Sequence, residues 1–180
     1  MANLGNQPDN FNYTNQTNFQ LIIPTAPTTT WFCTKAKIPD VYGAGAEQAN
    51  MHAKIYHPGD HGVYNDFNIT YLLNEDYENW SELFNWWKNY SMPITHTPRP
   101  MKDSELVCDI ELIVLNNSKK PTHRYVFRDA FPIFVQGPDY DTQVTDIEPI
   151  ILEATFRYTY YDFMPLSGLM PPCASEPPTP

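Results

Sequence analysis

The sequence predicts a mainly β fold with one α-helix: a β-sandwich or barrel of about eight strands, with an amphipathic helix packed on its side. Three observations carry this. The 18 prolines in 180 residues are about twice the usual share of roughly 5%, and helix interiors tolerate proline poorly. Aromatics make up 14% of the chain, a class enriched in strands. Only one segment has apolar residues at helical spacing. A chain this long forms one domain that buries roughly 70% of its extended surface.

The first 16 residues, MANLGNQPDNFNYTNQ, are polar and aperiodic and read as a flexible arm over 1–16. The folded body then spans residues 17–166, and the proline-rich stretch 167–180 reads as an extended tail. Within the body, NFQLIIP and TTWFCTKAKIP read as strands separated by the turn-like Pro24-Thr25-Ala26-Pro27. DVYGAGAEQAN is too glycine-rich for regular structure and too apolar for a solvated linker. MHAKIYH and VYNDFNITYLL are two more strands. In the second, Val63, Phe67, Ile69, Tyr71 and Leu73 are placed on one face.

The helix is NEDYENWSELFNWWKNY. Tyr77, Trp80, Leu83, Phe84 and Trp87 form the expected core stripe. Asn74 or Asp76 can cap it, Glu75 and Glu78 suit its N-terminus, Lys88 suits its C-terminus, and Pro93 stops it. Strands resume with ELVCDIELIVLN, apolar on both faces, and THRYVFRDAFPIFV. A last strand, EPIILEATFRYTYYDF, is read as continuous, with Ile150, Leu152, Ala154, Phe156, Tyr158 and Tyr160 inward.

Charge excludes one class of function. The net charge is −10 and the 11 Lys and Arg are scattered, so no basic patch exists to hold nucleic acid. No apolar run approaches the ~20 residues of a membrane span. The N-terminus has neither the charged start nor the apolar run of a signal peptide. Cys33, Cys108 and Cys173 are odd in number and widely spaced, which favours reduced thiols.

The chemistry-bearing candidates are few. HPGDHG, residues 57–62, gathers His57, Asp60 and His61, with His52 upstream. Imidazole and carboxylate suit a divalent metal, so a metal hydrolase is one reading. The spacing matches no ligand motif, however, and Pro-Gly favours a tight turn, with Gly62 supplying an unusual backbone shape. The turn is preferred, at the tip of a hairpin. GxSxG, HExxH and P-loop sequences are absent. The carboxylates of Asp139 and Asp141 have no His, Cys or Lys cluster beside them. No enzyme, metal or cofactor is expected.

The order of strands and turns is similar to that of the tail-tube proteins of contractile bacteriophages. Cys33-x-x-Ala36-x-x-Pro39 matches that family's second-strand turn. Tyr64, Asp66, Phe67, Ile69, Thr70, Glu75, Asp76 and Trp86 or Trp87 match its strand-to-helix signature, and the closing ATFRYTY resembles its last strand. The likeness covers most of residues 17–163. It implies a virion protein assembled in the host cytoplasm. Six copies would close into a ring of the inner tube, or of its baseplate-proximal or head-proximal end. The implied partners are other copies of itself and neighbouring tube, sheath, baseplate or neck proteins, with DNA only in transit. Val41, Tyr42, Gly43, Gly45, His57, Asp60 and His61 are then the candidate inter-subunit contacts. Acidic residues facing the channel would repel phosphate. A competing reading is a virion receptor or carbohydrate-binding sandwich, with Tyr140, Trp86 and Tyr90 lining a concave surface.

Overall fold

The computed structural model describes residues 11–49, 53–91, 106–143 and 148–166, apart from the side chains of 60 and 61. The tail predicted over 167–180, residues 1–10 of the arm and Pro93 lie outside the described residues. In chain order the elements are β1 (Phe19–Ile22), α1 (Pro27–Phe32), β2 (Cys33–Lys37), β3 (Val41–Ala49), β4 (Lys54–Tyr64), β5 (Phe67–Leu72), α2 (Glu78–Ser91), β6 (Cys108–Leu115), β7 (Pro121–Val135), β8 (Ile151–Arg157) and β9 (Tyr160–Pro165).

Seven strands form one sheet in the order β1-β6-β7-β8-β5-β2, with β9 also on β7. The long β7 folds this sheet into two layers. Its first part pairs with β6 and β9, and its last part with β8. The crossover has a visible cause. Asp129 sits at φ 53, and its N–H donates to the Asp109 carboxylate (3.2 Å), which also receives Arg128 Nη1 (2.6 Å). A left-handed residue bends the strand there, and aspartate tolerates that conformation better than most.

The core fills the space between the layers. Phe67 and Phe127 stack across it with ring centroids 4.4 Å apart. Leu21, Ile110 and Leu112 come from one layer, and Ile69, Leu152, Ala154 and Phe156 from the other. Period-2 alternation predicted Phe67, Ile69, Ile110, Leu112, Leu152, Ala154 and Phe156 inward, and on β5 and β8 the burial alternates as expected. Val63, placed on the face of Phe67, is instead exposed, because the strand breaks after Tyr64 and Val63 belongs to β4. Tyr71 is fully buried, and its hydroxyl has no hydrogen-bond partner. Burial pushes its pKa up, so it stays neutral. Because an unmade buried hydrogen bond costs ~1–3 kcal/mol, Tyr71→Phe is expected to leave the thermal midpoint unchanged or raise it, as scanning calorimetry would read.

Five expectations need correction. First, TTTWF is helical. The first N–H groups of α1 find an acceptor outside the helix: Glu82 takes Thr28 N (3.1 Å), Thr28 Oγ1 (2.7 Å) and Thr29 N (3.4 Å). Pro27 occupies the first turn, where its missing N–H costs nothing. Tertiary contacts thus override three strand-prone threonines. Second, the glycine-rich DVYGAGAEQAN contains β3, because β4 supplies its backbone partners.

Third, HPGDHG is not a reversal but a stretch inside β4. Gly43 faces Gly62 and Gly45 faces Pro58, so residues 59–61 bulge opposite Ala44. Gly62 does not need its lack of a side chain: no described glycine has positive φ, and a Cβ on Gly62 would meet nothing. The hairpin's end lies between Ala49 and Lys54, where residues 50–52 are outside the described residues.

Fourth, the buried stripe of α2 is Asn79, Leu83 and Trp86. Tyr77 precedes the helix at φ 60. Trp80, Phe84 and Trp87 stack on one another along a half-buried flank. The buried polar Asn79 explains the rotation. Its Nδ2 donates to Leu72 O (2.7 Å), and its Oδ1 accepts Trp80 N (2.8 Å) and Asn74 N (3.3 Å). Those bonds pin the helix start to the end of β5. Fifth, the last strand breaks after Arg157, where Thr159 N donates to Arg128 O (3.0 Å) and the chain changes layers as β9. Tyr160 is exposed there, not inward.

Candidate inter-subunit surface

β3 and β4 leave the sandwich as a two-stranded ribbon. β3 and β4 pair with each other and with no other described strand, and all their described side chains are exposed. β-Formers stand near the root (Val41, Tyr42, Val63, Tyr64) and near the far end (Ile55, Tyr56), with Gly43, Ala44, Gly45 and Ala46 between them. Isolated hairpins of this kind are marginal in water.

The root is clamped. Asn65 N donates to Asp40 O (3.2 Å) and Tyr158 Oη to Asn65 O (2.8 Å). Arg157 grips Asp66 with Nε and Nη2 at 3.0 and 3.1 Å. Tyr64 meets Tyr158 and Tyr161 edge-on, with centroids 6.1 and 5.6 Å away. Burial first, then Tyr161, Tyr64 and Asp66, hold the Tyr158 phenol protonated and able to donate. These contacts fix the ribbon at its root, while among the described strands β3 and β4 pair only with each other.

Alternation along β3, with the cross-strand register, sorts the ribbon into two faces. One carries Tyr56 and the ion pair of Lys54 with Glu47 (3.0 Å). The other presents Tyr42, Val63, Ile55 and His57, with no Asp, Glu, Lys or Arg among its described side chains. His57 Nε2 lies 3.2 Å from Gln48 Oε1. The predicted contacts Val41, Tyr42, Gly43, Gly45 and His57 all stand on this ribbon. Asp60 and His61 belong to β4, and their side chains lie outside the described residues.

Among the described residues no three His, Cys, Asp or Glu side chains come together to hold a metal, and no helix is long and apolar enough to cross a membrane. Burial raises the Cys33 thiol to about 11, so it is a poor nucleophile. The aromatics of the carbohydrate reading do not converge. Trp86 is buried, donating to Leu106 O (2.9 Å), while Tyr90 bonds Pro132 O and Tyr140 meets the Tyr77 hydroxyl. Arg157 and Tyr158, which hold the ribbon's root, were not singled out from the sequence. Their signal was the matched Tyr64-x-Asp66-Phe67, whose aspartate needed a cation.

One glycine is required in the ribbon. A Cβ on Gly59 would lie 2.3 Å from the Ala44 carbonyl oxygen. Gly59→Ala is expected to separate β3 from β4 locally. Amides of residues 41–49 would exchange about tenfold faster or more, while core amides keep their protection.

The family model for phage tail tube proteins matches residues 9–164. No functionally curated protein matches the chain. Among solved structures, the tube-terminating cap of the anti-feeding prophage superposes with a TM-score of 0.59 at 15% identity, covering 92% of this chain and 99% of that one. The sheath–tube complex of an extracellular contractile injection system gives 0.56 at 16% identity, covering 86% and 93%. The sheath/tube terminator of such a system gives 0.56 at 17%, covering 86% and 99%. At these identities the likeness is one of fold. With the family model spanning nearly all of the sandwich and its ribbon, the chain belongs to the phage tail tube protein family.

Proposed function

We propose that the protein is a structural ring component of a contractile tail, with six copies closing around a channel through which DNA passes. The observation that carries this is the clamped ribbon, an exposed hairpin aimed by its root yet unpartnered along its length. Such a surface is costly in a monomer and gains stability when another copy covers it. The ring would stack on neighbouring tube, sheath, baseplate or neck proteins within the virion.

Channel charge needs refinement. Lys35, Lys37 and Arg157 stand on the outward face of the β2-β5-β8 layer with Asp66 and Glu153, so charges there nearly cancel. Acidic residues gather instead at the start of α2 and in the loop after β7, where Glu75, Asp76, Glu78, Asp139 and Asp141 are exposed. Repulsion of DNA then rests on the net charge of −10 per copy, multiplied around the ring. Negative-stain microscopy of the purified chain, alone and with other tail proteins, tests the reading. Six-fold rings or tubes are expected, and monomers under every condition would overturn it.

A further inference from the structure

A cleft of about 1190 Å³ opens on the body between β1 and β2. Phe19 and Val114 stand on one wall, and Trp31, Ala36 and Ile38 on the other. Its rim is polar, with Asn15, Gln16 and Thr17 on one side and Lys35 on the other. Trp31 is 87% exposed, so a large aromatic ring is left almost bare.

We propose that this cleft holds residues 167–180 of the same chain, laid across Trp31 in a polyproline conformation. The contact belongs to the single chain and needs no ring. Strand register sets where that segment starts. Pro165 faces His123, His123 faces Val114, and Val114 faces Phe19. These four share one rung across β9, β7, β6 and β1, so the chain leaves β9 at the end of the sheet where the cleft opens. Three strand spacings, roughly 14 Å, separate Pro165 from Phe19. The rung is floored by the His123 ring, stacked on Phe163 with centroids 5.0 Å apart. Residues 167–180 number fourteen and reach roughly 43 Å in polyproline form, enough to cross the cleft.

Chemistry matches this occupant to both the walls and the rim. SGLMPPCASEPPTP holds five prolines, and proline has no N–H. The segment therefore offers many carbonyl acceptors and few donors. The rim supplies the donors: the Asn15 and Gln16 amides, the Thr17 hydroxyl, the Lys35 ammonium and the exposed indole N–H of Trp31. Aromatic-lined grooves take proline-rich segments because the bound conformation is already formed and little entropy is lost. Leu169, Met170, Pro171 and Pro172 give the apolar walls a partner. Glu176, the segment's only charged residue, is complementary to Lys35, and a pair left at the rim avoids the cost of burying either charge.

The native Cys173 provides the test. Cys33 and Cys108 are half-buried and burial raises both thiols, so a bimane reagent near neutral pH labels Cys173 in preference. Tryptophan quenches bimane on contact, and the labelled full-length chain is expected to be dim. Trp31→Phe should brighten it severalfold while the thermal midpoint stays put, because Trp31 is exposed. Emission that is bright from the start, or that Trp31→Phe does not raise, overturns the proposal. The labelled chain is also mixed with a large excess of unlabelled Trp31→Phe chain. Unchanged emission is expected for a segment held in its own cleft, and brightening would place it on a second copy and overturn the proposal.

Discussion

Tyr42→Asp combined with Val63→Asp is expected to leave the chain folded and monomeric. Both residues are about half exposed, at 58% and 50%, and face each other across the ribbon. Neither supports the core, so circular dichroism and the thermal midpoint should change little, as for other surface sites. In an assembly they would be covered, each losing ~1.5–3 kcal/mol of burial and gaining a carboxylate without a partner. A loss of about 3 kcal/mol or more per contact raises the concentration needed for assembly by over a hundredfold. Sedimentation velocity reads the result. Unaltered rings would show that the ribbon is not an assembly surface.

Phe67→Ala should have the largest effect on stability. Phe67 is fully buried, stacks on Phe127 and packs near Phe156, and so joins both layers. Truncation at such a site costs about 3–5 kcal/mol through lost burial and a residual cavity. Domains have only ~5–15 kcal/mol to lose, so the thermal midpoint should fall by roughly 10 °C. Urea denaturation of a variant that cannot assemble isolates the fold from the ring. A loss under about 1 kcal/mol would mean that the layers close around the cavity.

The interior was legible residue by residue. Ile69, Leu152, Ala154 and Phe156 were placed inward from alternation alone, and all are buried. This works because the period of a strand is fixed by backbone geometry, so the apolar pattern reports the face. The α2 stripe shows the limit. Large aromatics at helical spacing pointed to Trp87, yet Trp86 is buried, because Asn79 sets the helix rotation through bonds to Leu72, Asn74 and Trp80. A buried polar residue has no signature in hydrophobic periodicity.

The ribbon was harder. Its residues were singled out, but as a loop and a tight turn, since Gly43, Gly45, Pro58 and Gly59 carry turn chemistry. In the fold each irregularity in one strand is met by a complementary residue in the other. Gly59 sits against the Ala44 carbonyl, and the bulge absorbs the extra residues. Local propensity counts one chain segment at a time, whereas a ladder is a property of two.

Composition and periodicity by themselves determined the fold class, the side helix and the inward faces of β5 and β8. Only the tertiary structure decided that β7 serves both layers, that TTTWF is helical, and that β3 and β4 form a clamped ribbon. The reason is physical. Burial of an apolar face leaves its mark along a strand, but Asp66 finding Arg157, and Glu82 finding Thr28, join groups 91 and 54 positions apart. Nothing in either segment alone records the partner.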